Sequence, residues 1–246
     1  MKTKPSTMLI IRFMIAIALI VPVQSSIAQQ KKTLVFDTFH GQNARNAEVF
    51  NGLLPQSASA VVSVNEAELN DASLKDKEAL VLFSLTKPLT ENEKKAIVKY
   101  LRAGGSMLLI FDEERRTPLK TIGINDVITP FGMSLTEDAP VRHNCGAIAE
   151  KSEICADKRE LPYSGGRSIK GGTVISKVND EGNYVHSAYT NLPGNGKLIV
   201  MSDGMSGLLM GGPDGVRFSG TGPSDSKYWG KDSKVFMEEV FAFLLK

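Results

Sequence analysis

A histidine and a carboxylate stand three positions apart near the start of the chain. Asp37 and His40 directly follow the apolar run Leu34-Val35-Phe36, so both fall where a buried strand would end. Such a pair can act as general acid and base or contribute to a metal site. Alternatively, Asp37 caps the following turn and His40 makes a structural hydrogen bond. The pattern favours a structural or binding role over catalysis.

Other polar residues share this position at the ends of predicted strands. In an open parallel sheet, ligands bind in the crevice outside the carboxyl ends of the strands. The candidate ligand-binding residues at these ends are Asp37, His40, Gln42, Asn43, Asp112, Glu113, Asp203 and Ser206. Carboxylates and amides suit sugar hydroxyls, and the glycine-rich segment after Asp203 can adapt to a protein surface. The sequence therefore predicts a mostly acidic rim that binds a small molecule, such as a carbohydrate, or a protein.

Motifs for nucleophilic catalysis and nucleotide binding are missing. A serine nucleophile on this kind of sheet needs a sharp strand-to-helix turn in a G-x-S-x-G setting, and that motif occurs nowhere in the chain. The sequence GMSG at 204–207 has part of the pattern, but no strand immediately precedes its serine. There is also no G-K-[ST] P-loop and no G-x-G-x-x-G joining a strand to a helix. The sequence therefore predicts no cofactor and no metal.

The two cysteines, Cys145 and Cys155, lie ten positions apart. In a chain that leaves the reducing cytosol, a local disulfide is the natural expectation, and closing so short a loop would contribute roughly 2 to 3 kcal/mol. The alternatives are two idle thiols, a thiol nucleophile, or a metal site that includes His143. Because His143-x-Cys145 lacks a second ligand pair at the spacing of structural zinc sites, we predict the disulfide.

The first residues have the pattern of a secretory signal peptide. Basic residues precede an apolar run at 13–23, and Ser26-Ile27-Ala28 offers small residues at the spacing that signal peptidase recognises. The run has eleven residues, too few for the ~20 needed to cross a bilayer. We therefore predict cleavage after Ala28, a periplasmic or secreted location, and no membrane insertion of the mature chain.

The charge of the mature chain argues against nucleic acid as a partner. Segment 1–28 has three basic residues and no acidic one, so its removal changes the formal net charge from +2 to −1. A chain with this charge has no electrostatic reason to bind nucleic acid or anionic lipid. Residues 29–246 suffice for one complete core and contain no repeat or proline-rich linker. We predict a single domain there.

Apolar runs of strand length alternate with helical segments. The predicted strands are TLVFD at 33–37, AVVSV at 60–64, ALVLFS at 79–84, SMLLIF at 106–111, TVISK, NYVHSAY at 183–189 and KLIVMSD at 197–203. A capping box of Thr90 and Glu93 opens one helix, and others are predicted at 43–54 and 233–246. This alternation is typical of a mostly parallel sheet with helices on each side. The irregular segment 136–171 is predicted to be an insertion.

Several of these segments together resemble a known domain. They are DTFHG after the first strand, PLTENEKKAIVKYLRAGGSMLLIFDE in the middle, GKLIVMSDGMS near the end and the final apolar helix. In this combination, over most of residues 33–246, the chain resembles the GIFT-type domain of the class I glutamine amidotransferase-like superfamily. That domain occurs at the N-terminus of a ciliary intraflagellar-transport subunit and in bacterial families of unknown function. The resemblance implies a flavodoxin-like three-layer α/β sandwich and, often, no enzyme activity.

The resemblance also bears on the catalytic residues. True glutamine amidotransferases carry a cysteine at the elbow after a central strand, and a downstream histidine with a carboxylate. This chain has Asp112-Glu113 at the former position and Ser202-Asp203-Gly204 in the region of the latter, so the triad is missing. Asp37, His40, Gly41 and Asp203 match polar positions of the bacterial relatives, but no catalytic role transfers with them.

Three functions follow from these patterns. The leading hypothesis is a secreted or periplasmic non-catalytic domain that binds a ligand or an envelope protein through the polar rim. A competing hypothesis is a hydrolase-like enzyme in which Asp37, His40 and Asp203 converge, with or without a metal ion. The third is a structural subunit of an envelope complex. It predicts an exposed apolar patch formed by Leu208, Leu209, Met210 and Phe218.

Overall fold

The computed structural model describes residues 31–42, 44–140, 145–163, 165–204 and 232–246. The predicted signal peptide, the candidate site residues Asn43 and Ser206, His143, and the apolar patch predicted at 208–218 lie outside the described residues. Among those described, no helix is both long and apolar enough to pass through a bilayer.

Five parallel strands form one half of the central sheet. They are β1 (Lys32–Asp37), β2 (Ala60–Asn65), β3 (Ala79–Phe83), β4 (Ser106–Ile110) and β11 (Lys197–Met201). Their order in space is β2-β1-β3-β4-β11, and each is parallel to its neighbours in this order. The strands predicted in these segments are confirmed, with ends that shift by one or two residues. All five carboxyl ends therefore lie along one edge.

The other half of the sheet is antiparallel, so the nine-stranded sheet as a whole is mixed. Beyond β11 it continues with β10 (Val185–Asn191), β9 (Thr173–Val178), β6 (Ala147–Ala149) and β7 (Arg159–Leu161). A separate two-stranded sheet pairs β5 (Ser134–Asp138) with β8 (Arg167–Lys170). The irregular segment 136–171 thus contains short antiparallel strands, two of which extend the central sheet. That this segment is an insertion stays a prediction.

Helices cover both faces of the sheet. They are α1 (Ala44–Gly52), α2 (Asp71–Leu74), α3 (Glu91–Arg102), α4 (Leu119–Ile122), α5 (Asn125–Ile128) and α6 (Ser233–Leu244). Successive residues of a strand face opposite sides. Leu34 and Phe36 accordingly pack in the same hydrophobic cluster as α1 and α6, whereas Val35 packs with α3, α4 and α5 on the other face. The predicted α/β class is confirmed.

Helix α3 begins as the sequence predicts. The Glu93 amide donates to the Thr90 hydroxyl at 3.3 Å, and the Glu93 carboxylate accepts from the Thr90 amide at 2.9 Å. This reciprocal pair is the capping box. The helix gives way to β4 through Gly104, whose φ of +96° favours glycine. The capping box and Gly104 both act locally, and this part of the fold can therefore be predicted from the sequence.

The predicted disulfide is wrong, because Cys145 and Cys155 are both buried thiols. Strands β6 and β7 form an antiparallel hairpin between them in space: Cys145 lies beside the open end, where the Gly146 amide donates to Tyr163 O, and Cys155 lies in the turn. Bridged cysteines need Cα atoms within about 7 Å, and strand β6 separates the two residues along the chain.

Candidate functional site

The polar residues at the strand ends fall into two groups rather than one. Asp37 ends β1, whereas Asp203 follows β11, and two strands lie between β1 and β11. With neighbouring strands ~4.8 Å apart, the two backbones are separated by about 14 Å. Asp37 and Asp203 therefore do not share one small ligand or one water molecule.

The first group is a buried ion cluster of Asp37, His40 and Glu93. Asp37 Oδ2 lies 2.7 Å from His40 Nδ1, and Glu93 Oε1 lies 3.2 Å from His40 Nε2. The second contact is close enough for an ion pair but is not aligned as a hydrogen bond. All three side chains are at most 1% exposed. One imidazole is thus held between two carboxylates.

The neighbours of this cluster stabilise its charged form. Burial would lower the pKa of His40, but the hydrogen bond and charge of Asp37, with the charge of Glu93, raise it above the ordinary 6.5. Burial would raise the pKa of Glu93, but amide hydrogen bonds from Thr90 and Leu69, together with the His40 charge, lower it below 4.5. The two pKa shifts therefore favour the protonated imidazole of His40 and the ionised carboxylate of Glu93.

Glu93 is the member of the cluster that the sequence missed. The sequence assigned it only to the capping box of α3, and it does fill that role. Its Oε1 also accepts from the Leu69 amide at 2.9 Å, so one carboxylate joins the start of α3, the loop after β2 and the end of β1. No local pattern connects Glu93 with His40. The available signal for a second role of Glu93 was its charge, at the third position of a helix that was predicted to cover the sheet.

The second group lies at the ends of β3 and β4 and around Gly204. Asp112 is 4% exposed, and burial raises the pKa of its carboxyl group despite the hydrogen bond from the Glu113 amide. A Cβ on Gly204 would lie 2.5 Å from Asp112 Oδ2 and 2.6 Å from Ser84 Oγ. Only glycine fits there without displacing the two side chains.

Ser84 is conformationally unusual in this group. Its φ is +41°, in the left-handed region that non-glycine residues rarely adopt. Its hydroxyl oxygen is buried and makes no hydrogen bond with any described residue. Such backbone conformations cluster at functional sites. In the sequence, Ser84 is the last residue of the strand predicted at 79–84, and nothing there singled it out as a site residue.

Asp203 is fully buried beside the second group. Gly166 packs directly against the preceding residue, since a Cβ there would lie 2.4 Å from Ser202 O. Burial, and then the charge of Asp203, raise the pKa of Tyr163. Asp203 and Asp112 thus lie at the ends of adjacent strands, but Asp203 is enclosed rather than exposed on a rim.

Gln42 connects the two groups. Its Nε2 donates to Ser84 O at 2.8 Å, and the Thr86 amide donates to His40 O at 2.9 Å. Gly41 between them has φ +106°, and a Cβ there would overlap the Thr86 hydroxyl. Gln42 therefore positions the loop after β3 rather than pointing freely to solvent.

The surface of the rim is less acidic than the sequence suggests. Glu113 lies 2.6 Å from Arg115 and 3.4 Å from Arg116. Glu114 lies 2.5 Å from Arg167. Arg167 is fully buried and also donates to the carbonyls of Asp112, Thr136 and Thr117. Paired charges of both signs therefore surround the end of β4.

His186, the remaining described histidine, lies in the antiparallel half. Its Nδ1 is 2.7 Å from Ser176 Oγ, and complete burial lowers its pKa to about 3. It is therefore neutral under physiological conditions and inaccessible to solvent. Within the described ranges, no group of three or more histidine, cysteine or acidic residues is arranged to hold a metal ion.

Comparison with known proteins identifies a family resemblance. Residues 33–146 match the family model of the IFT52 GIFT domain. A search of curated protein sequences gave no match. Among solved structures, the chain is similar to the mmIFT52 N-terminal domain, with 17% identity, a TM-score of 0.58, and coverage of 70% of this chain and 86% of that one. At this identity the likeness is one of fold.

Two further solved structures align with lower TM-scores. The exo-beta-1,4-mannosidase Op5Man5 from Opitutaceae bacterium strain TAV5 has 15% identity and a TM-score of 0.47, and the alignment covers 71% of this chain but 31% of that one. A ThuA-like protein from Parabacteroides merdae has 11% identity and a TM-score of 0.46, with 87% and 88% coverage.

The segment that matches the GIFT model contains the whole buried ion cluster. Asp37, His40 and Glu93 all fall within 33–146, as does Asp112. Asp203 and Gly204 come from outside it. The second group of polar residues is therefore assembled from the GIFT-matched segment and the later part of the chain.

Proposed function

We propose that this protein is a non-catalytic domain of the glutamine amidotransferase-like superfamily, with a flavodoxin-like three-layer fold, that binds a protein partner outside the cytoplasm. The binding surface is the exposed part of the rim at the carboxyl ends of β3 and β4. The match to the IFT52 GIFT domain supports the family assignment. The strand order of the parallel half, 2-1-3-4-5 along the chain, is that of flavodoxin-like sheets and supports the fold.

The observation that carries the proposal is the burial of Asp37 and His40. A general base must reach the proton that it abstracts, but His40 is 1% exposed and both of its ring nitrogens face carboxylates. The two residues best suited to acid–base chemistry therefore hold β1 and α3 together. A hydrolase that uses Asp37, His40 and Asp203 as one constellation does not fit this geometry.

The exposed residues of the rim suit a protein surface better than a small ligand. Thr86 and Lys87 are exposed after β3, and Arg115 and Glu114 are exposed after β4. Together, these residues carry charges of both signs. Complementary charges of this kind set the orientation and specificity of protein complexes.

Export is supported by the sequence of residues 1–28. Its basic start, apolar run and small residues before position 29 are the three parts of a signal peptide. The location that we propose is the periplasm or the extracellular space. The partner is then a protein of that compartment.

The proposal is tested by chemical cross-linking in the native host, followed by mass spectrometry of the purified protein. We expect a defined partner that is lost when Lys87 and Arg115 are both changed to glutamate. In the matched control, Lys75 and Lys77, which lie at the opposite end of the strands, are both changed to glutamate. A partner retained by the rim variant, or lost equally from the control, would contradict the proposed surface.

A second measurement tests the absence of catalysis. Model esters, amides and glycosides are incubated with the wild-type protein and with the His40→Gln variant. We expect no turnover above background from either. Hydrolysis by the wild type that the variant loses would establish the enzyme instead.

A further inference from the structure

The two edge strands of the central sheet, β7 and β2, differ in their contacts with other described segments. At the β7 end, the Glu160 amide donates to Asp232 Oδ2 at 2.8 Å, and the Asp232 amide donates to Glu160 O at 3.3 Å. The residue before α6 therefore occupies that edge. At the other end, β2 pairs with β1 on its inner side, and no described strand pairs with its outer side.

The backbone groups that β2 directs outward can be assigned. Ser59 O and Asn65 O accept from amides of the β1 segment, so the odd-numbered residues direct their N–H and C=O groups inward. Successive residues of a strand alternate in this respect. Ala60, Val62 and Val64 therefore direct theirs outward. Of these, the Val62 amide alone has a partner among the described residues, Asn51 Oδ1 at 3.0 Å.

The side chains along this edge are apolar and only half covered. Those of Leu54, Ala58, Ala60 and Val62 pack against the core but remain partly buried. Val64 is 42% exposed. Residues 60–65 include no charge and no proline, although both are devices by which natural edge strands prevent pairing with another chain. The Asn51 side chain on α1 is the single local substitute.

We propose that a second copy of this chain pairs with this edge, β2 against β2 in antiparallel orientation, so that one sheet continues through a two-fold dimer. The outward residues form a set that is symmetric about Val62. Ala60 then faces Val64 of the partner subunit, Val62 faces its own mate, and Val64 faces Ala60 of the partner subunit. In an antiparallel ladder each such pair exchanges two hydrogen bonds. The half-covered apolar side chains meet across the axis.

The charges at the two ends of the edge are consistent with this orientation. Lys31 precedes β1, one strand inward from the beginning of the edge, and Glu66 follows β2 at the end of the edge; both are exposed. Antiparallel pairing brings Glu66 of one copy toward Lys31 of the other, on the scale of the ~8–10 Å Debye length at physiological salt. Parallel pairing would place like charges side by side. Two-fold dimers with one self-complementary patch are the commonest oligomers.

Asn51 sets the strength of the association in this arrangement. Its carboxamide oxygen accepts from the Val62 amide that the partner strand needs at the centre of the ladder. Each copy must exchange this side-chain hydrogen bond for one across the axis. Replacing Asn51 removes this competing acceptor from both copies and should lower the dissociation constant of the dimer by on the order of tenfold.

The test is light scattering after size-exclusion chromatography of the protein purified from cells that express the full chain. We expect twice the mass of one chain for the wild type and the mass of a single chain for Val64→Lys. The matched control is Val235→Lys on α6, where the valine is 43% exposed, and it should remain dimeric. Asn51→Ala should shift the dimer–monomer transition to roughly tenfold lower concentration.

Two results would overturn the proposal. One is a wild-type protein that contains a single copy of this chain at all concentrations, either alone or in a complex with a different protein. The other is a Val64→Lys variant that stays dimeric. Circular dichroism of each variant shows whether its fold is retained, and thermal melting compares its stability with that of the wild type. Because this edge shares no residue with the rim at β3 and β4, the outcome leaves the partner-binding function to its own test.

Discussion

Glu93 Oε1 lies 3.2 Å from His40 Nε2, and this contact fastens the first turn of α3 to the end of β1. The other side of the imidazole is held by Asp37 at 2.7 Å. The cluster has two carboxylates for one cation, so its stability depends on the protonated histidine.

Removing the imidazole should destabilise the fold strongly. His40→Ala leaves two buried carboxylates without a cation, and we expect the free energy of unfolding to fall by about 3 to 5 kcal/mol. Urea unfolding followed by circular dichroism measures this. The control is Lys94→Ala, which removes the ion pairs of Lys94 with Glu91 and Asp126, two largely exposed carboxylates, and should cost less than about 1 kcal/mol. Equal losses from the two variants would contradict the burial of the cluster.

The stabilising effect of the cluster should depend on pH. The pKa of His40 is raised above 6.5 in the folded state, so its contribution is complete below pH 6.5 and is lost as the pH rises through the folded pKa. The pKa of Glu93 is lowered below 4.5, so its contribution is complete above pH 4.5 and is lost as the pH falls through the folded pKa. Unfolding midpoints of the wild type and His40→Gln should therefore converge as the pH rises above 6.5. If the two unfolding midpoints instead moved apart above pH 6.5, the predicted direction of the pH dependence would be wrong.

Reductant should leave the thermal stability unchanged. Cys145 and Cys155 are buried thiols, and burial, with the charge of Glu239, raises the pKa of Cys155 to about 11. We expect two thiols per chain that react with a maleimide only after unfolding, because the thiolate is the reactive form. Melting curves with and without reductant should coincide. A midpoint that drops on reduction would indicate a disulfide after all.

Processing of the N-terminus is directly measurable. Intact mass spectrometry of the exported protein should give a chain that begins at Gln29, because signal peptidase cleaves after small residues. Ala28→Tyr places a bulky side chain at the cleavage position and should leave the full chain uncleaved. An unprocessed wild-type protein found inside the cell would remove the basis for the proposed location.

The parts of the fold that the sequence predicts correctly are those with local causes. The run from Thr90 to Ile110 contains a capping box, a helical period, a glycine stop and an apolar strand, and each acts within a few residues. Asp112 and Asp203 could also be placed near each other, because strand ends line up in a parallel sheet.

The parts that the sequence missed depend on distant contacts. Glu93 and His40 meet because α3 packs beside β1, and neither residue has a nearby signal for the other. The same limitation produced the wrong disulfide, since spacing along the chain ignores the hairpin between Cys145 and Cys155. Likewise, Asp37 and Asp203 share an edge but lie on strands separated by two others. Strand order, rather than polarity, decides which side chains form one site.

The pairing of β4 with β11 has a consequence for how the chain is made. Met107 faces Leu198 in this ladder, so the whole antiparallel half must be synthesised before β4 acquires its second neighbour. Until then Ser106–Ile110, whose five residues are all buried in the folded protein, lies at an open edge of the sheet. Such edges can pair with strands of other chains. Late closure of a non-local pairing is slow and exposes the intermediate to aggregation. During synthesis the outer edge of β4 therefore stays open until residues 111–201 have been added.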